Sequence, residues 1–210
     1  MKRVLQVLCV MAMVLAVAAP AKAQFGIYGG VVLPVGDFGG NDATKDGQGL
    51  ALMGYGGGIE YNVKLVTIPL EIGWVTSLSI AYNDLDNKIL KQQFGNSFDY
   101  TPWLAGWPVT GIRATLPVFP VYAQVQVGGC IGKMPDVKIK GAGAELSSDP
   151  AAVLGISAGA GIELGPLTIF ARYLTGEPEY EVTQKISNQS YKYKVKQKMD
   201  MLMVTAGLEF

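Results

Sequence analysis

From residue 24 onward the chain alternates apolar and polar positions with a period of two, and no long stretch holds the 3.6-residue apolar period of a helix. Eight segments carry this alternation and are predicted as strands: 25–34, 49–62, 66–76, 105–117, 119–131, 151–164, 166–176 and 194–210. In the last, Leu202, Val204, Ala206, Leu208 and Phe210 share one face, and Met201, Met203, Thr205, Gly207 and Glu209 the other. Val66, Ile68, Leu70, Ile72 and Trp74 stand against Thr67, Glu71 and Gly73. Val121, Ala123, Val125 and Val127 stand against Tyr122, Gln124 and Gln126, and Leu154, Ile156, Ala158, Ala160 and Ile162 against Gly155, Ser157, Gly159 and Glu163. In the fourth segment Ile112, Ala114 and Leu116 are read as outward and Arg113 as inward, while the first segment is apolar on both faces. The pattern is apolar outside and polar or small inside, the reverse of a barrel in water.

The connections sharpen the prediction. Three are tight: Asn62-Val63-Lys64-Leu65, Pro117-Val118-Phe119-Pro120 and Gly165-Pro166. Four are long and polar, at about 35–48, 77–104, 132–150 and 177–193. They alternate long and short, so antiparallel strands collect the tight turns at one end of a barrel and the large loops at the other, as in transmembrane barrels. The last strand, at about 3.3 Å per residue and a tilt of about 40°, spans roughly 23 Å, close to the apolar band such barrels need. Phe25, Tyr61, Phe119 and Phe210 fall at the tight-turn end and Tyr55, Trp74, Trp107 and Tyr173 toward the loop end, which predicts two aromatic girdles.

Residues 1–23 stand apart. Lys2 and Arg3 precede an apolar run from Val4 to Ala19, and Ala21-Lys22-Ala23 is a small-x-small cleavage pattern, so a signal peptide cleaved before Gln24 is expected. Residues 24–210 then form one domain. Without Lys2, Arg3 and Lys22, the 17 basic residues become 14 against 17 acidic ones, which provides no basic field for nucleic acid. Cys130 is then the only cysteine, so no internal disulfide is expected. No other stretch approaches the roughly 20 apolar residues of a membrane helix, which leaves a soluble chain or one that crosses as a closed barrel.

The segments GIYGGVVLPVGDF (Gly26 to Phe38), GYGGGIEY (Gly54 to Tyr61) and the final Gly207-Leu208-Glu209-Phe210 resemble the small outer-membrane β-barrel family, the OmpA/OmpX-like eight-stranded barrels, and most nearly the exported barrels of Bacteroidetes-type bacteria. The resemblance covers residues 24–210. It implies an all-β, eight-stranded antiparallel up-and-down transmembrane barrel in the bacterial outer membrane, in contact with lipid and lipopolysaccharide. It also implies that Phe210 belongs to the signal read by the barrel-insertion machinery. It fixes no activity, since members serve as anchors, adhesins, small channels or enzymes.

Eight strands enclose a space that side chains can fill. The inward charges are Glu60, Glu71, Arg113, Glu163, Arg172 and Glu209, and the two arginines are the only ones in residues 24–210. Burial of a lone charge is unfavourable by several kcal/mol, so these groups are predicted to pair, with Gln124 and Gln126 extending the network. Histidine is absent, and no Ser/His or Cys/His arrangement and no metal-ligand spacing exists, so neither catalysis nor a cofactor is expected. Cys130 reads as a small inward side chain.

In the second loop Tyr82, Asp84, Asp86, Phe94, Phe98, Asp99, Tyr100 and Trp103 are placed to fold over the mouth or meet an extracellular ligand. In the fourth, Glu177, Glu179 and Glu181 alternate, then Lys192, Lys194, Lys196 and Lys198. A turn near Ser187 to Gln189 would set Glu181 opposite Lys196 and Glu179 opposite Lys198, on a hairpin continuing the last two strands. Those lysines are also candidates for lipopolysaccharide phosphates. The expected role is structural or surface-interactive, through loops above a plugged polar lumen. Two alternatives are a small channel and a soluble periplasmic ligand-binding barrel.

Overall fold

The computed structural model describes residues 23–40, 47–66, 70–94, 98–116, 118–139, 144–186 and 189–210, with backbone only at Gln93 and Phe94. Residues 1–22 of the expected signal peptide, Thr67 and Ile68 of the third segment, Pro117, the Phe94 side chain and the turn residues Ser187 and Asn188 lie outside the described residues. Eight strands close a barrel: β1 (Ala23–Pro34), β2 (Gly54–Val66), β3 (Glu71–Asn83), β5 (Trp103–Thr115), β6 (Val121–Lys133), β9 (Ala151–Leu164), β10 (Leu167–Gly176) and β13 (Met201–Glu209). The order around the wall is β1-β13-β10-β9-β6-β5-β3-β2, and each neighbouring pair is antiparallel. β1 closes the wall against β13, with Phe25 and Phe210 exchanging backbone hydrogen bonds of 3.1 and 2.8 Å. The strand therefore begins at Ala23, opposite Val63.

The wall has the expected polarity. Ile72, Trp74, Leu78 and Ile80 of β3, Val121, Val125 and Val127 of β6, and Val204 and Leu208 of β13 are exposed, while Ser77, Ser79, Tyr122, Gln124, Gln126, Met203 and Thr205 are buried. The short connections, β2 to β3, β5 to β6 and β9 to β10, all lie at one end. Gly165 holds the last of them with φ +66°, a left-handed conformation that a Cβ disfavours.

Three boundaries differ from expectation. β2 runs through Asn62-Val63-Lys64-Leu65 to Val66, with a bulge between Lys64 and Val66, so the turn falls later than predicted. β3 begins at Glu71, with Val66 falling in β2 and Leu70 ahead of the strand, and continues to Asn83 instead of stopping at Thr76: Ser77, Ser79 and Ala81 look like loop residues but are lumen positions between outward Leu78, Ile80 and Tyr82. The eighth predicted segment is two strands, β12 (Gln189–Lys196) and β13, separated by residues 197–200.

A second, five-stranded sheet stands on the loop end. Its order is β12-β11-β8-β7-β4, with β4 (Phe98–Tyr100), β7 (Val137–Ile139), β8 (Ala144–Ser148) and β11 (Glu179–Ile186). α1 (Asn87–Phe94) lies in the same region, and Asp86 receives a hydrogen bond at its N-terminus from Lys88 N at 3.0 Å. Tyr180 and Val182 of β11 are buried, and Tyr100, Val137, Leu146 and α1 residues Ile89 and Leu90 pack on the same core.

The aromatic girdles need correction. Trp107 is 0% exposed and points into the barrel, because its outward neighbours Pro108 and Gly106 set the opposite parity. Trp74 is exposed but stands opposite Val63 and Ile112, near the tight-turn end. Among the described residues of the barrel strands, the exposed loop-end aromatics are Tyr55, Tyr82 and Tyr173, with Tyr55 and Tyr82 directly opposed.

Candidate functional site

The lumen is filled by two chemistries. Toward the tight-turn end, Arg113 from β5 is an electrostatic hub. Its guanidinium donates to Glu60 of β2, to Glu209 of β13 at 2.9 Å and to Glu163 of β9 at 3.4 Å, while Nε donates to Gln124 Oε1 at 3.1 Å. Glu60 bridges to the second arginine, since Arg172 of β10 donates to its other oxygen at 2.8 Å. Arg172 also donates to Tyr28 Oη at 3.2 Å, Ser77 Oγ at 3.2 Å and Ser79 Oγ at 3.0 Å. Gln124 donates to Glu60 at 3.2 Å, and Gln126 Nε2 to Ser77 Oγ at 3.1 Å. Residues from several strands thus meet across the barrel axis.

Three rings sandwich the cations. Arg113 lies 4.1 Å over the Tyr122 ring, and Arg172 lies 4.9 Å from the Tyr28 ring and 4.4 Å from that of Phe170. Planar guanidinium groups stack this way while keeping in-plane donors for carboxylates, which lysine cannot do.

The structure therefore brings Glu60, Arg113, Glu163, Arg172 and Glu209 together. It places Glu71 apart: Glu71 pairs with Lys64 at 2.8 Å at the tight-turn rim, both partly exposed. Glu71 sits at the first position of β3, so parity points it inward but height puts it at the mouth. With Glu71 matched by Lys64, three carboxylates share two arginines. Glu163 and Glu209 are the more exposed of the three, so the excess negative charge lies toward the open mouth.

Sequence reasoning missed Tyr28, Ser77, Ser79, Phe170 and Lys64 as partners. A signal existed for the serines, whose alternation with Leu78 and Ile80 continues the parity of β3. None existed for Tyr28, in a strand apolar on both faces.

Toward the loop end the lumen is mainly apolar, with Asn83 buried among the apolar side chains and donating to the carbonyl oxygens of Val32 and Leu52. Val32, Ala81, Ala105, Trp107, Val109, Cys130, Leu174, Met199, Met201 and Met203 are buried together. Above them Trp103 donates to Gly49 O at 2.9 Å and meets Phe38 and Tyr180 edge-on at 5.2 and 6.4 Å. Trp103 and Tyr82, assigned to the second loop by sequence, are strand residues of β5 and β3. Asp84 and Asp86 fix the chain there through backbone bonds with Leu52 and Leu50, both at 2.8 Å.

On the outer sheet, Glu179 stands opposite Lys196 and Glu181 opposite Lys194, two residues from the expected register. A slip of two keeps every side chain on its face, so parity alone could not exclude it. The ion pairs are diagonal: Lys194 to Glu179 at 2.7 Å and Lys192 to Glu181 at 2.8 Å. Hydrogen bonds from Lys194 and Lys192 hold the two carboxyls below their ordinary range. Lys198 pairs with Asp200 at 2.8 Å. Of the four lysines proposed for lipopolysaccharide, three are thus occupied by carboxylates of this chain. Among the described residues no group of three or more metal-ligating side chains occurs.

No protein-family model matches the chain, and comparison with curated proteins finds no match. Solved structures do match in fold. The attachment invasion locus protein Ail of Yersinia pestis superposes with a TM-score of 0.52 at 16% identity, over 90% of this chain and 97% of that one. A major outer membrane protein from Thermus thermophilus superposes with a TM-score of 0.51 at 12% identity, over 90% of this chain and all of that one (100%). The architecture, an eight-stranded antiparallel barrel with an apolar exterior, is that of an integral bacterial outer-membrane barrel.

Proposed function

We propose that this chain is an outer-membrane barrel that does not conduct, and that it acts as a structural or surface-interaction protein through the sheet on its loop end. The observation that carries this reading is the double filling of the lumen. The Glu60–Arg113–Arg172 network spans the lower half, and Trp107 with Met199, Met201 and Met203 fills the upper half. Eight-stranded barrels are narrow enough for side chains to occupy the interior. Among the described residues, apolar packing over a paired charge network supports a lumen without a wetted path or a substrate cleft. The absence of histidine from the chain and the engagement of Glu60, Glu163 and Glu209 with arginine accord with a non-catalytic role. Residues 1–23, on this reading, are the export signal, and Phe210 with Leu208 and Ala206 supports insertion. The surroundings are outer-membrane lipid and lipopolysaccharide.

Planar-bilayer recording of the refolded protein tests the proposal. No steady unit conductance is expected. Reproducible openings would instead establish the small channel. Release of the native protein from cells without detergent would establish a soluble periplasmic barrel.

A further inference from the structure

Four sulfur-bearing side chains are buried in the upper lumen, below the outer sheet. Cys130 of β6, Met199, Met201 and Met203 are fully buried, and the thiol is free. Two glycines bring the first two together. A Cβ on Gly176 of β10 would stand 2.8 Å from Cys130 Sγ, so the thiol leans from β6 across to Gly176. Met199 donates its N–H to the Gly176 carbonyl at 2.8 Å, and its side chain runs the opposite way. A Cβ on Gly132 of β6 would stand 2.8 Å from Met199 Sδ and run into Tyr180 Oη. Cys130 and Met199 therefore lie side by side between β6 and the top of β10. Tyr180 Oη donates to Met199 Sδ at 3.0 Å. Burial raises the Tyr180 phenol above its ordinary range, and Cys130 is close enough to add to the rise. Trp107 of β5 falls at the ladder position next to Cys130, between the pairs Gly106–Ile131 and Val109–Gly128. Its buried indole N–H has no hydrogen-bond partner among the described residues. A donor left so is uncommon and asks for an acceptor.

We propose that Cys130 and Met199, with Met201 as a third ligand, form a binding site for a soft monovalent cation, copper(I) or silver(I). Thiolate and thioether ligands suit such cations and are poor ligands for hard ones. Histidine, cysteine and carboxylates do not gather in threes among the described residues, so no alternative ligand set for a harder ion is at hand. On binding, the Cys130 thiol releases its proton to solvent. The S–H bond gives way to a sulfur–metal bond, and no electron changes hands. Charge then selects the ion. A thiolate and a monovalent cation sum to zero, whereas a divalent ion would leave a net positive charge in an apolar pocket, where it is strongly disfavoured. The thiolate also supplies the acceptor that the Trp107 N–H lacks, and such a hydrogen bond orients and stabilises a ligand. This site goes beyond the structural role proposed above and does not depend on it.

The test titrates the full-length protein in detergent micelles with silver(I), with zinc(II) as control. One silver ion per chain is expected, with one proton released and with shifts of the Met199 and Met201 methyl resonances in nuclear magnetic resonance spectra. Cys130→Ser should abolish saturable binding. The double variant Met199→Leu, Met201→Leu keeps the apolar volume and removes the thioethers, and it should weaken silver binding by about tenfold or more. The heat-modifiable band on a gel reports whether each variant is folded, and the leucine variant decides the matter if Cys130→Ser does not fold. Unchanged affinity in the leucine variant would mean that the thiol reacts alone, and it overturns the proposal. So does zinc bound as tightly as silver, silver bound without any shift of the two methionine methyls, or no saturable binding by the unaltered protein. None of these outcomes bears on bilayer conductance, so failure here and failure of the closed-barrel reading are separable.

Discussion

β10 with β13, and β11 with β12, are successive stretches of one long hairpin, and they place opposite chemistry on the same face. Odd positions face outward in both β10 and β11, and even positions in both β13 and β12. Below Pro178 the outward residues are Leu167, Ile169, Ala171 and Tyr173. Above it they are Glu179 and Glu181, facing Lys194 and Lys196. The inward residues change in the opposite sense, from Phe170 and Arg172 to Tyr180 and Val182, all four of them buried. The backbone has not changed its geometry; its surroundings have. In lipid the exterior must be apolar and the charges find partners inside, and in water the sheet keeps charge outside and apolar groups against the core. The boundary between Tyr173 and Glu179 marks the water side of the apolar band.

Breaking the interior of the lower stretch should have the largest effect. Arg113→Ala leaves Glu60, Glu163 and Glu209 without their shared cation, and the loss of one partner of a buried pair is destabilising by about 3–5 kcal/mol. The heat-modifiable band on a gel should convert to the unfolded form at a clearly lower temperature. An unchanged transition would remove the network from any part in stability.

Charge placed on the outer face of the two stretches sharpens the contrast. Ala171→Lys puts an ammonium into the apolar band, at an expected loss of about 2–4 kcal/mol in refolding titrations in lipid vesicles. Lys185→Ala, on the same face of the same hairpin above the boundary, should change stability by no more than about 0.5 kcal/mol. Similar losses for both would mean that the boundary is misplaced.

On the inner face of the upper stretch, Val182→Asp should loosen the outer sheet alone. Limited proteolysis would then cut within 177–200, while the barrel keeps its heat-modifiable band. Simultaneous loss of that band would show that sheet and barrel fold as one unit.

The smallest effect is a pH dependence confined to β11 and β12. Glu179 and Glu181 are held below their ordinary range, so their contribution is complete above about pH 4.3 and disappears as pH falls through the lower folded values. The hydrogen bonds that Lys192 and Lys194 donate to Glu181 and Glu179 raise both ammonium groups, so their contribution is complete below about pH 10.4 and disappears as pH rises through the folded values. Contacts between Tyr193 and Val182 in nuclear magnetic resonance spectra should weaken below about pH 4 and be constant at neutral pH.

What the sequence determined by itself was local and periodic. The number of barrel strands, the outward face of β6, β9 and β13, and the gathering of long loops at one end follow from a two-residue repeat and from turn residues. A pleated chain has only two faces, so these needed no knowledge of neighbours. The inward parity of Arg113, Arg172, Glu60, Glu163 and Glu209 was legible for the same reason. Only the tertiary structure decided what each inward group meets. Height along the barrel axis, which parity does not carry, gave Glu71 to Lys64, whereas Trp107 shares the odd, inward parity of Arg113 in β5 and was legible as lumen filling from that strand's own alternation. Register moved the Glu/Lys ladder by two residues, a shift that leaves every side chain on its face and that packing beyond the hairpin must select. The second sheet joins β4, β7, β8, β11 and β12 from three different loops. Such pairings depend on the barrel holding the loop ends at fixed separations, which no periodicity within a single loop records.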